Sequence, residues 1–79
     1  MGTKNNPSYF DCYANALPDE PMFILLARDL QAPGQVRSWA LGRMYEILEG
    51  RKPESDRAMV DEAMRCANAM EAWRKEHRR

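Results

Sequence analysis

A chain of 79 residues with 44% hydrophobic and 30% charged side chains is one small domain, near the size at which a single core is only marginally stabilising. Twelve basic and twelve acidic side chains cancel, so no global field draws in nucleic acid and none is expected as a partner. Two distant cysteines, Cys12 and Cys66, and one histidine, His77, exclude a disulfide framework and a zinc-ligand spacing, which leaves self-association as the route to stability.

Residues 1–8 are mostly polar and read as disordered. They do not form a secretory leader, and no apolar run approaches the ~20 residues of a membrane-spanning helix. A cytoplasmic protein with two free thiols and no membrane partner is expected. Tyr9 to Tyr13 is a short aromatic segment that packs on the body, and residues 15–21 hold two prolines and form a turn-rich connector. Residues 22–27, Met-Phe-Ile-Leu-Leu-Ala, are a continuous apolar run bounded by proline. They are consistent with a strand buried on both faces, although Leu25 and Leu26 suit a helix equally well.

A helix is predicted over 33–49. Pro33 sits in its first turn, where a missing N–H costs nothing, Asp29 lies upstream as a cap or dipole partner, and Gly50 supplies the stop. Arg51-Lys52-Pro53 leads into a second helix over 54–76, with Glu54 and Asp56 in its first turn and a basic end, Arg74-Lys75-Glu76-His77-Arg78-Arg79, that complements the macrodipole. So short a link predicts an antiparallel hairpin. The expected fold is mainly α: a short N-terminal extended or strand segment, then an antiparallel two-helix hairpin, completed by oligomerisation.

On the second helix, Met59, Ala63, Cys66, Met70 and Trp73 repeat at four-three-four-three spacing as one packing seam. Val60, Met64 and Ala67 form a second stripe that is either core or, through adaptable methionine, a subunit contact. The first helix is less simple. Val36, Trp39, Ala40, Leu41, Met44, Tyr45, Ile47 and Leu48 cover roughly 240° of its circumference, too wide an arc for one neighbour, so self-association through this helix is expected.

Within that arc sit Arg37 and Arg43. An arginine there either snorkels to water, pairs with a carboxylate such as Asp29, Asp19 or Glu20, or meets an anionic ligand. In the last case Arg28, Arg37 and Arg43 converge near Trp39 and Tyr45, with Tyr13 and Phe23 close by, and a nucleotide is held by guanidinium forks on its phosphates and by flat rings on its base. Gly42 on the same helix suits a close approach of backbone or ligand. Catalytic machinery is not expected: His77 lies at a helix end, no phosphate-binding glycine loop is present, and Ser8, Ser38 and Ser55 have no base partner. No cofactor is called for.

The pattern Asp-Glu-Pro-x-Phe-x-Leu-x-Ala-Arg-Asp-x-x-Ala-Pro-x-x-Val-Arg-x-Trp-Ala, residues 19–40, resembles a widespread class of very small phage and prophage proteins, and Met70-Glu71-Ala72-Trp73 agrees in character. That resemblance implies the cytoplasm of an infected bacterium. It also implies counter-defence, some members being similar to cyclic-nucleotide sponges of the anti-CBASS type. The expected function is sequestration, without catalysis, of a phosphate-bearing nucleotide signal such as a cyclic nucleotide. The alternatives are a protein-binding inhibitor of a host defence complex, as anti-CRISPR proteins are, or a small structural or assembly phage protein.

Overall fold

In the computed structural model, which describes residues 1–77, 57% of the chain is helical and no strand occurs among the described residues. A four-residue helix α1 (Cys12–Asn15) precedes two long helices, α2 (Ala32–Leu48) and α3 (Arg57–Glu76), and a 3₁₀ turn (Glu54–Asp56) leads into α3. The two long helices pack on each other. Arg37, early in α2, reaches Glu71, late in α3, while Arg43 reaches Asp56 at the start of α3, so the pair is antiparallel. The hairpin read from the sequence is present.

Local chemistry accounts for the helix boundaries. Pro33 occupies the first turn of α2, as expected. Asp29 contributes its carbonyl, which accepts from the Ala32 N–H at 3.0 Å, and its carboxylate does not cap the helix. At the other end Gly50 takes φ +77, a conformation that costs a residue with a Cβ about 1–2 kcal/mol. The Gly50 N–H donates to the Ile47 carbonyl at 3.1 Å and the Arg51 N–H to the Glu46 carbonyl at 2.8 Å, the Schellman pattern that satisfies two terminal carbonyls.

The expectation of a strand over 22–27 is corrected. This run is irregular, and a lone strand would leave its N–H and C=O groups without a ladder. No other segment among the described residues offers one. Phe23 is 82% exposed, and Leu17 and Leu30, further along the same arm, are also solvent-facing.

Residues 1–8, read from the sequence as disordered, hold specific contacts here. The Met1 amine lies 2.7 Å from Asp11 and 2.5 Å from Glu62, the Gly2 and Ser8 N–H groups donate to the Asp11 carboxylate, and the Ser8 hydroxyl donates to Glu62. The Met1 side chain packs against the interhelical core. The two Glu62 contacts fasten the N-terminal segment to the first half of α3, and a sequence pattern cannot show them because they join residues more than fifty positions apart.

The core is thin. Its buried side chains are Ala32, Ala40, Ile47, Val60, Ala63, Ala67 and Met70, four of them alanine, so the helices approach closely with little apolar volume between them. On α3 the buried line is Val60, Ala63, Ala67 and Met70, which runs between the two stripes expected from spacing. Met59 and Cys66 are only half-buried and Trp73 is exposed. Burial pushes the Cys66 thiol above its ordinary pKa. On α2 the line facing α3 is Pro33, Val36, Ala40, Met44 and Ile47.

Candidate functional site

Five residues were expected to converge on a ligand: Arg28, Arg37, Trp39, Arg43 and Tyr45. The structure distributes them over four places. Arg37 and Arg43 lie about 60° to either side of the buried line of α2, and each reaches a different end of α3. Arg37 Nη2 donates to Asn68 Oδ1 at 2.8 Å and to Glu71 Oε1 at 2.5 Å. Glu71 raises the guanidinium pKa further, and the hydrogen bond from Arg37 holds the Glu71 carboxyl below its ordinary value.

Arg43 Nη1 donates to Asp56 Oδ2 at 2.9 Å, and its guanidinium lies 5.2 Å from the centre of the Trp39 ring. Its Nε is buried without a hydrogen bond and faces Glu46 at 3.8 Å. Of the partners the sequence offered, Asp29, Asp19 and Glu20, none is used. Proximity along the chain was a poor guide, because the antiparallel fold brings α3 carboxylates to α2. Asp56 and Glu71 are fifteen positions apart, roughly 20 Å along a helix, so the two arginines act at opposite ends of the hairpin. Tyr45 lies on the outer face of α2, away from both.

Arg28 is the residue that reaches a cleft. The cleft has a volume of about 520 Å³ and is lined by Arg28 and Leu30 from the arm and by Glu71, Trp73, Arg74, Lys75 and His77 from the end of α3. That volume lies within the ~300–1,000 Å³ of small-molecule sites. The cleft brings three cations, Arg28, Arg74 and Lys75, to one place, and none of them has a carboxylate partner among the described residues. The single acid, Glu71, is engaged by Arg37.

The rings of Trp73 and His77 stack with centroids 4.0 Å apart and 15° between planes. His77 Nδ1 donates to the Trp73 carbonyl at 2.8 Å, which fixes the imidazole one turn beyond the indole. The geometry joins unneutralised cations to an aromatic surface, the combination that takes an anion carrying a planar group. A second depression of about 620 Å³ shares Leu30 with it and is lined by Phe23, Leu25, Asp29, Leu30, Gln31, Ala32 and Gln35.

Sequence reasoning placed Trp73 in a core seam and treated the basic end as a solvated helix terminus, so it missed this cleft. The usable signal was Trp73, Arg74, Lys75 and His77 within five consecutive positions, a spacing that sets rings and cations around one helix end. Arg78 and Arg79, part of the same basic cluster, lie outside the described residues. Among the described residues no group of three His, Cys, Asp or Glu side chains is placed to hold a metal ion, and no helix is long and apolar enough to cross a membrane. No protein-family model, curated protein or solved structure is significantly similar to this chain.

Proposed function

We propose that this chain is a non-catalytic binding protein that sequesters a small phosphate-bearing nucleotide, with a cyclic nucleotide as the favoured class. The observation that carries this reading is the cleft lined both by Arg28, Arg74 and Lys75 and by the stacked rings of Trp73 and His77. Phosphates take up the unneutralised cations and a base lies on the rings. Residues 19–40 resemble a class of very small phage proteins, and a counter-defence setting is part of the proposal.

Calorimetric titration and thermal shift with a panel of cyclic mono-, di- and trinucleotides test it. Binding by at least one of them is expected. Trp73→Ala is expected to weaken binding on the order of tenfold or more, since stacking on an aromatic is worth about 1–3 kcal/mol per base. The joint change of Arg74 and Lys75 to alanine is expected to weaken binding and flatten its salt dependence. No heat and no melting shift with any nucleotide would overturn the reading. The consecutive apolar side chains Met22, Phe23 and Ile24, all exposed, favour a protein-binding inhibitor in that event, because exposed apolar patches mark protein contacts.

A further inference from the structure

We propose that a second copy of this chain packs along the outer face of α2, so that two hairpins form a two-fold four-helix assembly. The inference stands apart from the nucleotide reading. It begins with area. The chain exposes 6547 Å² at a mass of 9.2 kDa, against about 4,900 Å² for a folded monomer of that mass. The excess of about 1,600 Å² is shared by the irregular arm and the outer face of α2, where Leu41, Tyr45 and Leu48 are each at least 60% exposed, and it exceeds the ~800 Å² that each partner contributes to a standard interface. The radius of gyration, 13.4 Å, likewise exceeds the ~11.6 Å of a compact chain of this length.

The position of the face follows from spacing. Gly34, Ser38, Leu41, Tyr45 and Leu48 recur at four-three-four-three along α2, about 120° around from the line that meets α3. Such a repeat is the seam of a helix made to meet another helix. All five positions are exposed; Leu41 is 60%, Tyr45 66% and Leu48 70% accessible. The over-wide apolar arc of α2 is therefore two seams, one occupied by α3 and one open.

The seam is complementary to itself, which selects a second copy over another protein. It tapers from Gly34 and Ser38 at one end, through Leu41, to Tyr45 and Leu48 at the other. An antiparallel two-fold places Leu41 beside its counterpart and sets Tyr45 and Leu48 of each copy against Ser38 and Gly34 of the other, the reciprocal contact of an isologous interface. The seam carries no charge, so self-pairing brings no like charges together. A Cβ built on Gly34 or Gly42 meets nothing within 4 Å in the single chain. Both helical glycines cost helix stability that the monomer does not require, and an approaching backbone gives them a reason.

Sedimentation velocity and equilibrium of the intact protein at tens of micromolar test the proposal, together with thermal melts over a range of concentration. A dimer and a melting temperature that rises with concentration are expected. Gly34→Leu fills the thin end of the seam, at a position where a Cβ meets nothing in the single chain, and is expected to weaken self-association on the order of tenfold. Adding Leu48→Ala to it exchanges large for small across the interface and is expected to restore the dimer. Leu41→Gln, which acts at the axis, gives the same loss should Gly34→Leu fail to fold. A wild-type monomer that melts independently of concentration would overturn the proposal and leave the face to a different partner. A dimer unaffected by Gly34→Leu and Leu41→Gln would place the interface elsewhere and overturn it equally.

Discussion

Replacing Arg43 with methionine should destabilise the protein far more than the same change at Arg37, and the structure gives the size of the difference. The side chains of Arg43 and Asp56 are 22% and 21% exposed, and the bond between them is 2.9 Å long. Hydrogen bonds to charged groups contribute about 1.5–3 kcal/mol, and the Trp39 ring adds about 0.5–1 kcal/mol at a partly exposed site. Against this stands the desolvation already borne by the buried, unpartnered Nε. Asp56, released, is still favoured by the positive N-terminal end of α3. Methionine retains the aliphatic stem, so packing is largely preserved.

A net loss of about 1.5 kcal/mol follows, or roughly 6–12 °C in Tm for a domain of this size. The Arg37 pair is different, because Glu71 is more than half exposed and solvent screens such a pair to a coupling near zero. The assay is urea unfolding of two double-mutant cycles, Arg43→Met with Asp56→Asn and Arg37→Met with Glu71→Gln. Protein concentration is held fixed because assembly and stability are linked. A coupling energy of about 1–2 kcal/mol is expected in the first cycle and none beyond error in the second. Equal couplings, or a larger one for Arg37, would refute the greater weight of the Arg43–Asp56 pair.

Acid should loosen the protein through its depressed carboxyls. Asp11 is held at about 2 by the Met1 amine, then by the Ser8 and Gly2 N–H groups. Glu62 stays below its ordinary 4.5 because hydrogen bonds from the amine and Ser8 outweigh burial, and the Arg37 hydrogen bond lowers Glu71. Groups lowered in the folded state stabilise it fully above their unfolded values and lose that effect as pH falls through the folded ones. Thermal melts should therefore be flat between about pH 5 and 7, fall progressively toward pH 2, and fall again above about pH 8 as the Met1 amine, whose pKa the same carboxylates raise, loses its proton; Asp11→Asn with Glu62→Gln should flatten both slopes. Gly50→Ala should cost about 1 kcal/mol in chemical unfolding, since φ +77 strains an alanine while the gain in chain stiffness offsets part of it. Ala63→Leu should cost about 1–3 kcal/mol by forcing a closely approached helix pair apart, because Ala63 has no exposed surface; an unchanged unfolding midpoint would show that the core has room.

The sequence by itself determined the hairpin. Pro33, Gly50 and Pro53 mark helix boundaries through backbone rules that need no distant partner, and the apolar spacing between them selects helix over strand. It also determined that α2 has more apolar face than one neighbour covers, since periodicity fixes direction around a helix axis. Only the tertiary structure decided which of those directions α3 occupies and which stays open. It also paired Arg37 with Glu71 and Arg43 with Asp56, because antiparallel packing converts large separations in sequence into contact and leaves nearby acids such as Asp29 unused. Whether 22–27 formed a strand turned on the presence of a second strand, a property of the whole chain and not of that run. The cleft at the end of α3 depends likewise on where the arm carries Arg28, which no local pattern specifies.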